Sequence, residues 1–180
     1  MMNENPQQLK EQGQAAFQRG AYDEALALFE QAAAGFAAQD DAVGQGEMVN
    51  NMGVIYRVKR EWDTAVTTLA QAQTLFQQAG DVNRQAQTLG NLGDLYAARK
   101  KRDNAARCYS QAAALFAQTG DGDKQSQVLR ALSLLRLRQG HWLEAMMRME
   151  ESLTTAPRLG LGKWLLRVLL RFALGLMGGR

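Results

Sequence analysis

Two side-chain amides, Asn51 and Asn91, stand 40 residues apart in stretches that otherwise read as helix. Asn is a poor helix former, so its recurrence in register needs a cause. An amide offers both a donor and an acceptor. Two of them spaced along one surface can hydrogen-bond the backbone of an extended peptide, or bridge neighbouring helices, and the sequence leaves both readings open. Around them lie further polar residues in the same helical stripes: Gln14, Glu47, then Gln87 and Asp94. This chemistry is recognition by hydrogen bond and charge. Covalent catalysis has little to work with. Cys108 and His141 are the single Cys and single His, which makes an internal disulfide impossible and a Cys/His metal site within one chain implausible. Cys108 sits beside an apolar helical stripe and reads as a small filler, His141 as a turn residue. The glycines fall in helices and inter-helix turns, so no phosphate-cradling loop forms. No enzyme activity and no cofactor are expected.

The elements that must position these amides repeat. Gly13, Gly53, Gly93 and Ser133 lie 40 apart, as do Ala25, Ala65, Ala105 and Ala145, and Phe29, Leu69, Tyr109 and Met149. A period of this size signals stacked helical units, none of which buries its apolar face alone. Composition agrees: two prolines, few β-branched residues, and 46% apolar residues. Each unit reads as two helices. In the second, helix A runs over about 43–59 with Val49, Met52, Gly53 and Tyr56 on one face, and helix B over about 62–79 with Ala65, Leu69, Ala72 and Phe76. The third repeats this with Leu89, Leu92, Gly93 and Tyr96, then Ala105, Tyr109, Ala112 and Phe116. A Gly kept inside a helix costs about 1 kcal/mol against Ala, which implies a close approach where a Cβ would collide. Gly80–Asp81 and Gly120–Asp121 read as a helix stop followed by an N-cap, and Asp23, Asp63 and Asp103 fall in the first turns of B helices.

The segments NMGVIYRVKREWDTAVTTLAQA and NLGDLYAARKKRDNAARCYSQA resemble the tetratricopeptide repeat. The 40-residue period and the A/T-G-D loop are most similar to the repeats of kinesin light chains, LGN-type adaptors and bacterial peptide-sensing regulators. The resemblance spans about residues 7–160. It implies an all-α, right-handed superhelix (an α-solenoid) of four helix-turn-helix units, about 5–40, 43–80, 83–120 and 123–158, within residues 1–160. Residues 161–180 follow as a terminal hydrophobic capping helix. Helix A then lines a concave groove, with stripes Gln7, Glu11, Gln14, Gln18; Glu47, Asn51, Val54, Val58; Gln87, Asn91, Asp94, Ala98; and Gln127, Ala131, Leu134, Arg138. The resemblance implies that Asn51 and Asn91 contact ligand backbone, and hence a scaffold or adaptor for a protein or peptide. Lys10 and Gln14 match the opening of a carboxylate clamp, but Gln87 and Asn91 replace the cations that would complete it. The first unit departs from the pattern at Ala16, the fourth at Ser133 and Arg136.

After Pro157 the chain changes character. LGLGKWLLRVLLRFALGLMGGR is apolar except for Lys163, Arg167 and Arg171, spaced by four, and the terminal Arg180. The 14 residues from Trp164 to Met177 span about 21 Å as a helix, against a hydrocarbon core of roughly 30 Å. The register continues: Ala173 falls where the repeated small residue belongs, and Leu169, Phe172 and Leu176 take the buried helix-A positions. Trp164, Leu165, Leu166, Val168, Leu170 and Leu174 exceed one buried stripe. An interface built from Trp164, Leu165, Val168, Leu170, Arg167 and Arg171 is therefore expected, with a partner protein, a second copy (a homo-oligomer) or an anionic membrane as its occupant, or the helix is a plain cap.

The formal charge of +3 is polarised. Residues 1–80 carry 10 acidic and 5 basic side chains (net −5), and residues 81–180 carry 8 and 16 (net +8). The run RKKRD at 99–103 lies between helices with no interleaved aromatics, so no nucleic-acid partner is expected. The N-terminal residues have no basic start or apolar core of a secretory signal. With the lone Cys this points to a reducing compartment, the cytoplasm, with or without peripheral membrane attachment.

Overall fold

The computed structural model describes residues 5–156 and 160–178, with side chains described for all of these except 161, 172 and 176–178. Among the described residues every regular element is an α-helix: α1 (Pro6–Gln18), α2 (Tyr22–Ala38), α3 (Ala42–Val58), α4 (Trp62–Gln78), α5 (Val82–Ala98), α6 (Arg102–Thr119), α7 (Gly122–Arg138), α8 (Trp142–Thr155) and α9 (Leu161–Gly178). The chain divides into two compact units, Met1–Leu95 and Tyr96–Arg180. In the first, α1 packs on α2, α2 on α3 and α3 on α4; in the second, α6 packs on α7, α7 on α8 and α8 on α9.

Local chemistry sets where each helix stops and starts. A left-handed residue falls every 20 positions: Gly20, Asp40, Arg60, Gly80, Lys100, Gly120 and Gly140, with φ between 56° and 82°. That conformation ends a helix because it turns the backbone out of the right-handed spiral. Three A helices then begin on an Asp. The side chain of Asp41 accepts from the Gly44 N–H at 2.8 Å, Asp81 from Arg84 at 2.9 Å and Asp121 from Lys124 at 3.1 Å, which satisfies one otherwise orphaned donor in each first turn. Asp23, Asp63 and Asp103 open B helices, as expected.

The repeated B-helix stripes are the core. Ala25, Phe29, Ala32 and Phe36, then Ala65, Leu69, Ala72 and Phe76, then Ala105, Tyr109, Ala112 and Phe116 are all buried. The repeated glycine accommodates the repeated large residue. A Cβ on Gly13 would lie 2.7 Å from Phe29, and one on Gly53 would lie 2.6 Å from Leu69 Cγ. In the fourth repeat Ser133 takes the position, and its buried hydroxyl donates to the Ala145 carbonyl at 2.7 Å.

Helix A differs from the single stripe read from sequence. Val49 and Gly53 are buried, but Met52 and Tyr56 are only half-buried, while Met48 and Ile55 are fully buried. Met48 and Ile55 join the core built by α1 and α2, whereas Val49 packs with Ala72 and Phe76 of α4. The helix lies between two neighbours, so it needs two apolar stripes rather than one.

The register fails at α9. Leu169 corresponds to Val49, Leu89 and Leu129, which are 5%, 6% and 1% exposed, yet it is 57% exposed. Val49 is covered by the B helix that follows it. Among the described residues no helix covers Leu169 as α4 covers Val49. Phe172 and Leu176, the other two positions expected to be buried, lie outside the described side chains.

Candidate functional site

Within the first unit two adjoining clefts run across the A helices. One, of about 410 Å3, is lined by Gln14, Phe17 and Gln18 of α1, Phe29 of α2, and Asn51 and Val54 of α3. The other, of about 180 Å3, is lined by Lys10, Gln14, Glu47, Asn50, Asn51, Phe76, Arg84 and Gln87. Gln14 and Asn51 border both, so together the clefts form one groove with an aromatic end and a charged end.

The charged end centres on Glu47. Its carboxylate accepts from Lys10 Nζ of α1 at 2.5 Å and from Arg84 Nε of α5 at 2.6 Å. Arg84 also donates through Nη1 to Asp81 at 2.7 Å. One carboxylate thus ties three A helices together. Burial pushes the Glu47 carboxyl up, but hydrogen bonds and charge from Lys10 and Arg84 outweigh it and hold the group below its ordinary value. Asp81 behaves the same way: burial raises it, and the Arg84 backbone and side chain bring it down further.

The two repeated amides take different roles. Asn91 donates through Nδ2 to Asn50 Oδ1 at 2.9 Å, and the buried Thr88 hydroxyl approaches the same oxygen at 3.2 Å while also donating to the Arg84 carbonyl at 3.1 Å. Asn91 therefore bridges α5 to α3. The half-buried Asn51 and the exposed Gln14 hydrogen-bond to nothing among the described residues. Both present unused donors and acceptors to the groove.

Of the residues singled out from sequence, Lys10, Gln14, Glu47, Asn51 and Gln87 come together in the charged cleft. Gln87 Nε2 is held by Asn83 Oδ1 at 2.8 Å. Asn91 and the exposed Asp94 line neither cleft. Sequence reasoning missed Asn50, Arg84 and the aromatic end made by Phe17 and Phe29. Asn50 directly precedes a residue already singled out, and Arg84 recurs as Lys124 in the next repeat, also on its capping Asp at 2.8 Å. Register was therefore the available signal.

The candidate reactive groups line neither cleft. Burial raises the Cys108 thiol above its ordinary value, which suppresses the thiolate. His141 is exposed at the start of α8, with Nδ1 3.7 Å from Glu144. Among the described residues no three potential ligands cluster to hold a metal ion. The basic run 99–103 is a turn edge on which Lys100, Lys101, Arg102 and Asp103 are exposed. On α9, Trp164, Leu165, Val168 and Arg171 are exposed, whereas Arg167 and Leu170 are half-buried and Arg167 Nε lies 4.0 Å from Glu150 of α8.

A sequence profile of the tetratricopeptide repeat matches residues 44–118 and 84–158. The chain belongs to the tetratricopeptide repeat family. Comparison with curated proteins finds no match. Among solved structures, the chain is similar to BtubC (BKLC) from P. vanneervenii, with a TM-score of 0.72 and 20% identity over 84% of this chain and 66% of that one. It is similar to the nearly identical TPR-like repeats of a protein named as a kinesin light chain from Podosopora anserina, with a TM-score of 0.71 and 18% identity over 96% of this chain and 89% of that one. Aspartyl phosphate phosphatase F from Bacillus subtilis gives a TM-score of 0.72 and 14% identity over 94% of this chain and 46% of that one. At these identities the likeness is one of fold: an all-α array of paired helices. Tetratricopeptide proteins are generally non-catalytic scaffolds for protein–protein interaction. Among the described residues no helix is long and apolar enough to cross a membrane.

Proposed function

We propose that this tetratricopeptide protein holds an extended segment of a partner protein in the groove of its first unit. The observation that carries this reading is the pair of amides, Gln14 and Asn51, that line both clefts and have no side-chain partner among the described residues. An extended chain has unpaired N–H and C=O groups, and side-chain amides match both. At one end Phe17, Phe29 and Val54 offer an apolar seat for a ligand side chain. At the other, Lys10, Glu47 and Arg84 present fixed charges of both signs beside Gln87. Asn91 supports the site from behind by fixing Asn50. Lys10 is occupied by Glu47, which argues against its acting alone as a carboxylate clamp.

The test is comparative capture followed by cross-linking. Wild type and a Gln14→Ala/Asn51→Ala variant are used as baits, and a photoreactive residue replaces Val54. A partner lost with the double variant and cross-linked from position 54 supports groove binding. Equal capture by wild type and the folded variant overturns it.

A further inference from the structure

In the second unit the basic run at 99–103 meets an exposed apolar tip. Asp103 Oδ1 accepts from Gln139 Nε2 at 3.2 Å, which joins the run to the turn between α7 and α8. Lys100, Lys101 and Arg102 are exposed, as is Arg138 at the end of α7. None of these four cations has a side-chain partner among the described residues. Around the adjoining turn Leu137, Trp142 and Leu143 are 40%, 66% and 48% exposed. Helical side chains lean toward the helix N-terminus. Trp142 and Leu143, the first two residues of α8, and Arg102, the first of α6, therefore lean out past their helix ends onto one edge. The acids nearby are occupied, Asp103 by Gln139 and Glu144 by Arg136 Nε at 2.9 Å. The fold does not require this edge. The register of Leu143 holds Asp at 23, 63 and 103, where a carboxylate complements the helix dipole. Leu143 gives that up and stays exposed. Tyr22 and Trp62, in the register of Trp142, are half-buried. The matching turns of the first unit are ion-paired: Lys59 with Asp23 at 2.7 Å and Glu61 at 3.2 Å, and Arg19 with Glu24 at 3.1 Å.

We infer that this edge of the second unit docks on the anionic headgroups of a lipid bilayer, with Trp142 and Leu143 entering the interfacial layer. Both halves of the edge select that occupant. Anionic headgroups offset Lys100, Lys101, Arg102 and Arg138 directly. The layer beneath them takes the Leu143 side chain and the indole, whose amphipathic ring favours that depth. A nucleic acid satisfies the cations but offers no apolar layer to Leu137 and Leu143. A second copy meeting the first edge to edge sets cations against cations. The aromatic anchors of protein interfaces sit in well-packed pockets, whereas Trp142 stands two-thirds exposed at a turn, as a residue entering a fluid layer does. Among the described residues no helix crosses a membrane, so attachment by this edge is to the surface.

Flotation of the full chain with vesicles of phosphatidylcholine alone, and of phosphatidylcholine with roughly 30 mole per cent phosphatidylserine, tests this. Light scattering is read on the same samples without lipid. The expected result is co-flotation at least about tenfold stronger with the serine lipid, and release at high salt. Each cation at such a surface is worth about fivefold in binding, so Lys101→Gln/Arg102→Gln weakens co-flotation about 25-fold. Trp142→Ser/Leu143→Asp abolishes it. All four side chains are exposed, and Leu143→Asp restores the residue of the other three repeats, so helicity and melting are retained. No flotation with anionic vesicles, or flotation that either folded variant leaves unchanged, overturns the inference. A single-stranded oligonucleotide that binds wild type while the vesicles do not also overturns it and reassigns the edge to nucleic acid. So does a lipid-free oligomer that Trp142→Ser/Leu143→Asp dissolves, since a second copy then covers the tip.

Discussion

Asn50 Oδ1 accepts the Nδ2 of Asn91 across 2.9 Å, and this contact divides two amides that look equivalent in the repeat. Asn91 is spent on holding α5 to α3. Asn51, one period earlier, lines both clefts. Substitution separates the two roles. Asn91→Ala leaves a half-buried acceptor short of a donor and costs about 1 kcal/mol, read as a lower urea midpoint. Asn51→Ala changes stability by under about 0.5 kcal/mol while weakening ligand capture. If both variants lose stability equally, Asn51 has a structural partner and the groove reading fails.

Glu47 makes the first unit acid-sensitive. Its folded-state pKa lies below the ordinary value of 4.5. A carboxyl depressed on folding contributes stability that is present above the unfolded value and lost as pH falls through the folded one. Glu47→Gln removes that contribution and leaves Lys10 and Arg84 facing a neutral amide. At pH 7 the variant should be about 1–2 kcal/mol less stable, discounted for partial exposure. The gap should narrow as pH falls below 4.5. Thermal melts of both proteins from pH 7 to pH 3 check this, and a gap constant over that range would contradict the ion-pair account.

Much of the fold was legible because register was kept. The 40-residue recurrence of Gly, Ala and a large residue marks the helix pairs, and Gly80–Asp81 and Gly120–Asp121 mark boundaries by local backbone chemistry that needs no tertiary context. What was not legible depends on neighbours. Met48 and Ile55 are fully buried because α3 lies against two helices, and periodicity along one helix cannot say how many partners it has. Leu169 keeps the register of Val49 but not its burial, because burial is set by the helix packed over a position and not by the position itself. Arg84 looked like an ordinary first-turn residue until Glu47, 37 positions earlier, came within hydrogen-bond reach. Register treats Asn51 and Asn91 alike, whereas Asn51 lines both clefts and Asn91 bonds Asn50, a difference set by what the neighbouring helix offers.

The glycine notch gives a packing prediction. In Gly53→Ala the new Cβ would lie 2.6 Å from Leu69 Cγ and 3.3 Å from the Leu69 backbone nitrogen. Leu69 is fully buried and has no free direction in which to move. Overpacking of this kind costs about 1–3 kcal/mol, and the better helix propensity of Ala offsets only about 1. Net destabilisation, read as a lower melting temperature, is expected despite the textual preference of helices for Ala. An unchanged or raised melting temperature would show that α3 and α4 can separate freely.

Ser133 offers the complementary test, because it occupies the same register with a different solution. Its hydroxyl is 3% exposed and donates to the Ala145 carbonyl at 2.7 Å. Ser133→Gly restores the residue found at positions 13, 53 and 93, yet it should destabilise. It deletes a buried hydrogen bond worth about 1 kcal/mol and adds the helix cost of Gly, together about 1.5–2 kcal/mol. Ser133→Ala keeps the Cβ and loses only the bond, so it should fall between wild type and Ser133→Gly. Chemical denaturation of the three proteins orders them. A Ser133→Gly protein as stable as wild type would mean that the fourth repeat closes on its glycine as the second does, with the serine bond contributing nothing.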